Sequence, residues 1–139
     1  MAASEARRAA IGAGKNNLSR IATGVDIVKI ERVKEAIDKH GDRFTNRVFT
    51  PREMEEVGQK MVSLAGRFAA KEAVTKALST GIGPVAWQEI EILRGPSGEP
   101  ILHLHGEASR LAESMGLVSW SLTLSHTDTD AVAFVVAIG

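Results

Sequence analysis

Cysteine and tyrosine are absent from this sequence of 139 residues, and aromatic residues make up only 4% of it. Without cysteine, the chain has no disulfide framework, no thiolate zinc site and no cysteine nucleophile. Any metal site must therefore be built from the side chains of aspartate, glutamate or histidine.

An excess of charge of one sign is also missing, because 17 lysine and arginine residues balance 17 aspartate and glutamate residues. A molecule without net charge has no overall field that attracts nucleic acid, and we predict no nucleic-acid partner. The longest unbroken apolar run, residues 131–138, is far shorter than the roughly 20 residues of a membrane-spanning helix. We therefore predict no membrane partner and a cytoplasmic location.

The first 18 residues differ in character from the rest of the chain. They carry Arg7, Arg8 and Lys15, and residues 9–14 are too few and too interrupted by glycine to form the apolar core of a secretory signal. We predict a mobile leader over residues 1–18, with a short docked helix as the alternative. A hydrophobic content of 44% suits one folded domain over residues 19–139.

The hydrophobic pattern predicts an irregular order of strands and helices. Such an order favours an α+β fold with a mainly antiparallel sheet and one long packed helix over a doubly wound parallel sheet. The predicted elements are a strand at 20–27, a helix from 30 that continues past Gly41 to Phe44, a helix that starts with a capping box at 50–53, the long helix at 62–79, a hairpin around 95–98, a helix at 107–115, and strands at 118–125 and 131–138.

The long helix carries the residues that most suggest chemistry. Glu72 and Lys76 are four residues apart and share a helix face, and Arg67 and Lys71 are nearby in the sequence. A carboxylate among three cations indicates an anionic ligand. Spacing alone is explained as well by a solvated salt bridge between Glu72 and Lys76.

Three motifs follow one another along the chain. They are Thr23-Gly-Val-Asp-Ile27, Phe68-x-x-Lys-Glu-Ala-x-x-Lys76 and Leu124-Ser-His-Thr127. In this order, the set resembles the 4′-phosphopantetheinyl transferases, and specifically the small bacterial holo-acyl-carrier-protein synthases, from residue 21 to the end of the chain.

The resemblance implies a transferase that moves 4′-phosphopantetheine from coenzyme A to a serine of an apo acyl carrier protein. Adenosine 3′,5′-bisphosphate would be released, and the modified carrier would serve fatty acid or polyketide synthesis. The alternative is a non-catalytic module of the same fold that binds the carrier protein or coenzyme A.

The resemblance also implies a magnesium ion on the diphosphate, held by Asp26 and Glu72, with Mn²⁺ as the substitute. Two carboxylates suffice, because diphosphate oxygens and water complete the octahedron that magnesium prefers. Lys76 is expected to bind the diphosphate, and the predicted catalytic residues are therefore Asp26, Glu72 and Lys76. The proton of the carrier serine would pass to Glu72 directly, to a water on the metal or to an acid of the carrier, and the sequence leaves these routes open.

Coenzyme A carries several negative charges, which the site must neutralise. The resemblance assigns the glycine loop at 80–83 and His126 to the coenzyme A site, and both assignments have alternatives. Residues 80–83 also fit a plain helix-ending turn. His126 also fits a strand-end histidine paired with Asp128 or Asp130. His103 and His105 lack a third ligand and are predicted to be surface residues. The predicted cofactor-binding residues are Lys60, Arg67, Lys71, Lys76, Gly81, Gly83 and His126.

A basic segment precedes the long helix. Residues 29–52 contain seven basic and four acidic residues, and carrier proteins are acidic. By the resemblance, the first helix docks the carrier through Arg32, Arg43 and Phe44, although an ordinary charged helix face would look the same in sequence. The resemblance further implies a homotrimer with active sites between subunits.

Overall fold

The computed structural model describes residues 20–139 of the chain, and the predicted leader over residues 1–18 lies outside them. Five strands and five α-helices follow one another there, with a 3₁₀ turn at Trp87–Glu89. The strands are β1 (Ile21–Lys29), β2 (Ile90–Arg94), β3 (Pro100–Leu104), β4 (Ser119–His126) and β5 (Asp130–Ile138). The helices are α1 (Ile30–His40), α2 (Asp42–Val48), α3 (Pro51–Val57), α4 (Met61–Ala77) and α5 (Gly106–Ser114).

All strand pairings between these elements are antiparallel. One sheet has the order β1-β5-β4, and β2 and β3 form a separate hairpin. The predicted α+β fold with a mainly antiparallel sheet and a long packed helix is confirmed. In the three-stranded sheet, Asp26 of β1 lies opposite Ala133 of β5, and Ala133 in turn lies opposite Leu124 of β4.

The main core lies between this sheet and α4. Residues alternate along β5, so that Ala133, Val135 and Ala137 are buried while Phe134 and Ile138 remain exposed on the opposite face. The facing side of α4 is rich in alanine, which lets the helix approach the sheet closely. A second core of apolar side chains joins α1, α2 and α3 to the first half of α4.

One predicted helix differs from the structure, and the start of another is confirmed. The helix that begins at Ile30 ends at His40, because Gly41 has a φ of +56° and stops it; α2 then starts anew at Asp42. The predicted capping box is present, since Glu53 N donates to Thr50 Oγ1 at 3.1 Å and Thr50 N donates to Glu53 Oε1 at 2.8 Å. Local capping chemistry was thus sufficient to predict the start of α3.

Within residues 20–139, no helix has the length and apolar character needed to cross a membrane.

Gly24 sets the distance between β1 and α4. A Cβ atom at this position would lie 1.8 Å from the carbonyl oxygen of Ala73 and 3.1 Å from the amide nitrogen of Ala77. Only glycine allows this contact between two backbones. The close approach also brings Asp26, two residues further along β1, beside the second half of α4.

We expect Gly24→Ala to lower the free energy of unfolding by about 1–3 kcal/mol, because a methyl group cannot fit without separating strand and helix. Chemical denaturation followed by circular dichroism measures the change. Gly81→Ala is the matched control, since a Cβ at Gly81 meets no atom within 4 Å. Equal stability of the two variants would contradict the importance of this contact.

Candidate active site

Asp26 and Lys76 meet where β1 crosses the second half of α4. The ammonium of Lys76 lies 3.2 Å from Asp26 Oδ1 and donates to the carbonyl oxygen of Val25 at 2.7 Å. The Asp26 side chain is 19% exposed and that of Lys76 is 53% exposed. The pair is therefore open to solvent on the lysine side and sheltered on the carboxylate side.

Glu72 lies one helical turn before Lys76. Its pKa is raised, first because the carboxyl group is partly buried and then because of the negative charge of Asp26, while Lys76 acts in the opposite direction. Asp26 and Glu72 are therefore close enough to repel one another. A divalent cation between them would relieve that repulsion.

The donor set fits a hard cation that also binds the substrate. Across residues 20–139, the structure has no cluster of three or more histidine, aspartate or glutamate side chains arranged around a metal site. Two protein carboxylates leave most of an octahedral coordination sphere to oxygens of a substrate and of water. Asp26 and Glu72 thus suit a metal ion that is held jointly by the protein and a phosphate group.

Lys71 is adjacent to Glu72 in sequence but points into the protein. Its side chain has 0% exposure, and its ammonium donates to Glu53 Oε1 at 2.8 Å, to the carbonyl oxygen of Ile90 at 2.6 Å and to that of Trp87 at 3.1 Å. Burial lowers the pKa of Lys71, and the charge of Glu53 opposes this effect. All three donors are used within the fold, so the predicted role of Lys71 in cofactor binding is wrong.

Arg67 also faces the interior rather than the Asp26 side of α4. Its Nε donates to the carbonyl oxygen of Ile92 at 3.1 Å, and its Nη2 lies 3.2 Å from Glu56 Oε1. Burial lowers its pKa, and the contact with Glu56 opposes the shift. Arg67 therefore fastens α4 to β2 and α3, which differs from its predicted role as a phosphate ligand.

Glu53 has a larger structural role than the capping box predicted from the sequence. Its side chain is fully buried, and Oε1 accepts both Thr50 N and Lys71 Nζ while Oε2 accepts Ile92 N at 2.8 Å. The capping box identified the carboxylate as the cap of α3 but gave no sign of its distant partners. The carboxylate thereby joins the start of α3 to both α4 and β2.

The hydrogen bonds around Glu53 continue toward the surface through Thr50 and Glu91. Thr50 Oγ1 donates to Glu91 Oε2 at 2.5 Å, and Glu91 Oε1 lies 3.0 Å from His105 Nε2. His103 and His105 are both exposed, as predicted. His105 nevertheless has a specific partner in Glu91.

Two predicted cofactor-binding residues, Lys60 and His126, lie apart from Asp26 within one subunit. Lys60 precedes the first residue of α4, whereas Lys76 is near its last, and 16 residues of helix span about 24 Å. His126 ends β4, which β5 separates from β1 by two strand spacings of about 5 Å each. Its Nδ1 lies 3.3 Å from the carbonyl oxygen of Thr127, so the ring contacts this backbone atom and neither of the aspartates offered as its alternative partners.

The glycine loop after α4 is exposed and open. Gly83 has a φ of +134°, and its amide donates to the carbonyl oxygen of Val85 at 3.0 Å. A Cβ atom at Gly81 or Gly83 would meet no other atom within 4 Å. The loop follows the helix, which ends at Ala77, and leaves room for a ligand to approach its backbone.

The basic surface on α1 and α2 separates into two parts. Arg43 and Phe44 line a cavity of about 430 Å³ together with His40 and Arg47. Arg32 instead lines a different cavity, beside Lys29 and Asp130. Two of the three predicted carrier contacts therefore lie together, and the third lies apart from them.

An aromatic stack connects this basic surface to α4. The rings of Phe44 and Phe68 are stacked with centroids 6.2 Å apart, and those of Phe68 and Trp87 are stacked at 4.8 Å. Phe68 lies one turn before Glu72 on α4. The stack thus gives Phe44 a fixed position relative to the Asp26 site.

Comparison with known proteins gives consistent results at the level of sequence and of structure. Residues 22–135 match the model of the 4′-phosphopantetheinyl transferase superfamily. The holo-[acyl-carrier-protein] synthase of Herpetosiphon aurantiacus is 42% identical over 126 residues, which cover 86% of this chain and 99% of that protein.

Solved structures of the same kind of enzyme share the fold. The Helicobacter pylori holo-[acyl-carrier-protein] synthase in complex with coenzyme A is similar with a TM-score of 0.76 and 34% identity, covering 83% of this chain and 98% of that one. The enzyme from Neisseria meningitidis has a TM-score of 0.77 and 38% identity, covering 84% and 96% of the two chains.

The raised pKa of Glu72 gives a stability test. Ionisation of Glu72 costs more free energy in the folded than in the unfolded chain. The wild type therefore loses stability as the pH rises from below the usual glutamate pKa of about 4.3 through the higher pKa of Glu72 in the folded state. Glu72→Gln removes this cost. We expect the variant to melt above the wild type at pH 7 and at the same temperature near pH 4.

Differential scanning calorimetry across this pH range measures the effect. Glu55→Gln, at an exposed position on α3, is the control and should show no such divergence. A Glu72→Gln variant that melts below the wild type at pH 7 would contradict the raised pKa of Glu72, to which burial contributes most and the charge of Asp26 second.

Proposed function

The chain belongs to the 4′-phosphopantetheinyl transferase superfamily, and we propose that it transfers 4′-phosphopantetheine from coenzyme A to a serine of an apo acyl carrier protein. Adenosine 3′,5′-bisphosphate is the second product. Relatives that are 40–46% identical are holo-[acyl-carrier-protein] synthases, and the chain is an enzyme of that class. The observation that carries the proposal is the meeting of Asp26, Glu72 and Lys76 at the crossing of β1 and α4.

The reaction is an in-line displacement at phosphorus. The serine oxygen of the carrier forms a bond to the phosphorus that bears the pantetheine arm, and the bond from that phosphorus to the bridging oxygen of the diphosphate breaks. The electron pair leaves with adenosine 3′,5′-bisphosphate. Negative charge therefore grows on the leaving phosphate, and stabilising that charge is the main task of the site.

Asp26 and Glu72 would hold Mg²⁺, with Mn²⁺ as the substitute, because both offer carboxylate oxygens on one side of the β1–α4 crossing. A metal ion held by these two carboxylates would supply positive charge to the diphosphate and help to orient it. Lys76, more than half exposed and beside Asp26, supplies a further positive charge to the leaving phosphate.

The serine proton needs an acceptor. Glu72 is our candidate, because its carboxylate lies close enough to Asp26 to feel that charge, and so belongs to the site at the crossing of β1 and α4. A water molecule in the site or an acid of the carrier offers a second route. The carrier supplies the nucleophile, and so this chain needs no serine of its own.

The carrier protein would dock on the basic surface of α1 and α2. Arg43 and Phe44 share one cavity and would form the main contact, while Arg32 lines a separate cavity and would form a second one. Positive charge steers an acidic carrier toward this surface and mainly raises the association rate. The carrier is either free-standing or a domain of a larger synthase, in fatty acid or polyketide synthesis in the cytoplasm.

The exposed face of the three-stranded sheet supports a homotrimer. Five large apolar side chains on that face are 41–65% exposed, and an apolar surface of this kind marks an interface. Assembly would also let a neighbouring subunit bring Lys60 and His126, which lie far from Asp26 in one subunit, to the coenzyme A site. These apolar side chains are Ile21, Val25, Ile27, Phe134 and Ile138.

We expect the protein, incubated with coenzyme A, Mg²⁺ and an apo carrier, to raise the carrier's mass by one phosphopantetheine group. Asp26→Ala and Glu72→Ala should each reduce the rate by at least about 100-fold, because each removes a metal ligand. Mass spectrometry of the carrier measures the transfer, and Glu55→Ala is the control. Coenzyme A binding without any transfer to acyl carrier proteins would instead favour the non-catalytic module.

We expect a mass of three chains in solution and dissociation by Phe134→Asp, which places a charge in the apolar sheet face. Size-exclusion chromatography with light scattering measures the mass. Val62→Asp is the control, because Val62 is similarly exposed but lies at the start of α4. A monomeric wild type would contradict the proposed trimer.

A further inference from the structure

Lys76 contacts the same carboxylate that the metal ion would need. Its ammonium lies 3.2 Å from Asp26 Oδ1 and is anchored a second time, at 2.7 Å, on the carbonyl oxygen of Val25 in the edge strand β1. The side chain reaches this position from α4 and is 53% exposed. It is thus held by Asp26 and remains free to move toward solvent.

From this contact we propose that Lys76 and the metal ion compete for Asp26, and that the diphosphate of coenzyme A resolves the competition by drawing Lys76 away from the carboxylate. The inference rests on the metal site proposed above for Asp26 and Glu72. Lys76 would thereby couple metal binding to substrate binding, in addition to its charge on the leaving phosphate.

The charges at the site explain why such coupling arises. Asp26, Glu72 and Lys76 together carry one negative charge when all are ionised. A divalent cation alone reverses that sign and is repelled by the ammonium, whereas a cation that arrives with a diphosphate leaves the site negative. Metal and diphosphate therefore assist one another's binding, and thermodynamic linkage requires the assistance to be equal in both directions.

Among the described residues, no other cation of α4 is placed to compete with a metal ion for Asp26. Lys71 and Arg67 are buried and committed to Glu53 and Glu56. Lys60, which precedes α4, is about 24 Å from Lys76 along the helix. Among the basic residues predicted to bind coenzyme A, Lys76 alone contacts a proposed metal ligand within residues 20–139.

Mn²⁺ binding followed by electron paramagnetic resonance tests the inference without any turnover. In the absence of coenzyme A, Lys76→Met should bind Mn²⁺ about fivefold more tightly than the wild type, because the competitor is gone. Saturating coenzyme A should tighten Mn²⁺ binding to the wild type more than to Lys76→Met. Lys76→Arg keeps the charge and should stay close to the wild type.

Lys29→Met is the control for loss of a nearby charge. Lys29 is three residues from Asp26, and its ammonium has no ion pair or hydrogen bond within the described part of the chain. This variant should change Mn²⁺ affinity by less than about twofold. An equal effect of Lys29→Met and Lys76→Met would overturn direct competition in favour of general repulsion.

Two further variants separate the failure of this inference from failure of the metal site. If Asp26→Asn and Glu72→Gln both bind Mn²⁺ as the wild type does, the metal site is wrong and the coupling falls with it. If both lose Mn²⁺ while Lys76→Met binds it no more tightly than the wild type, the metal site stands and the coupling alone is overturned.

Discussion

The backbone contact between β1 and α4 at Gly24 is the constraint on which the site depends. Glycine lets the strand lie against the carbonyl oxygen of Ala73. The residues of β1 that follow Gly24 on the same face therefore lie beside the second half of the helix. Asp26 thereby contacts Lys76 and lies near Glu72. A larger residue at this point would separate the two elements and with them the three polar groups.

The other side of α4 is fixed by buried charge. The Lys71–Glu53 pair has no exposure, and every polar atom of the pair finds partners on α3, β2 or the turn before it. A buried pair of this kind adds little net stability, but it permits one position of the helix. Neighbouring side chains of α4 therefore point in different directions. Lys71 fixes the position of the helix, and Glu72 lies near Asp26.

The site itself is electrostatically unfavourable without a ligand. The raised pKa of Glu72 reflects first its partial burial and then the negative charge of Asp26, and Lys76 compensates for only one of the two negative charges. Two carboxylates this close cost stability in the free protein, and in the proposed function a bound cation would offset that cost. Lys76 reduces the repulsion between the two carboxylates, and because its side chain is exposed, it leaves them accessible.

The sequence by itself determined the order of elements, the capping box at Thr50, the α+β class and the family. Periodicity and capping depend on residues close together in the chain, and the order of the motifs can be read along the chain without knowing how it folds. Helical spacing placed Glu72 and Lys76 on one face of the long helix, but only the resemblance added Asp26 to them. The tertiary structure alone decided which of the cations on α4 face the site. Arg67 and Lys71 fall on the face that packs against β2 and α3, and the direction of a helical face relative to the sheet depends on contacts between residues distant in sequence.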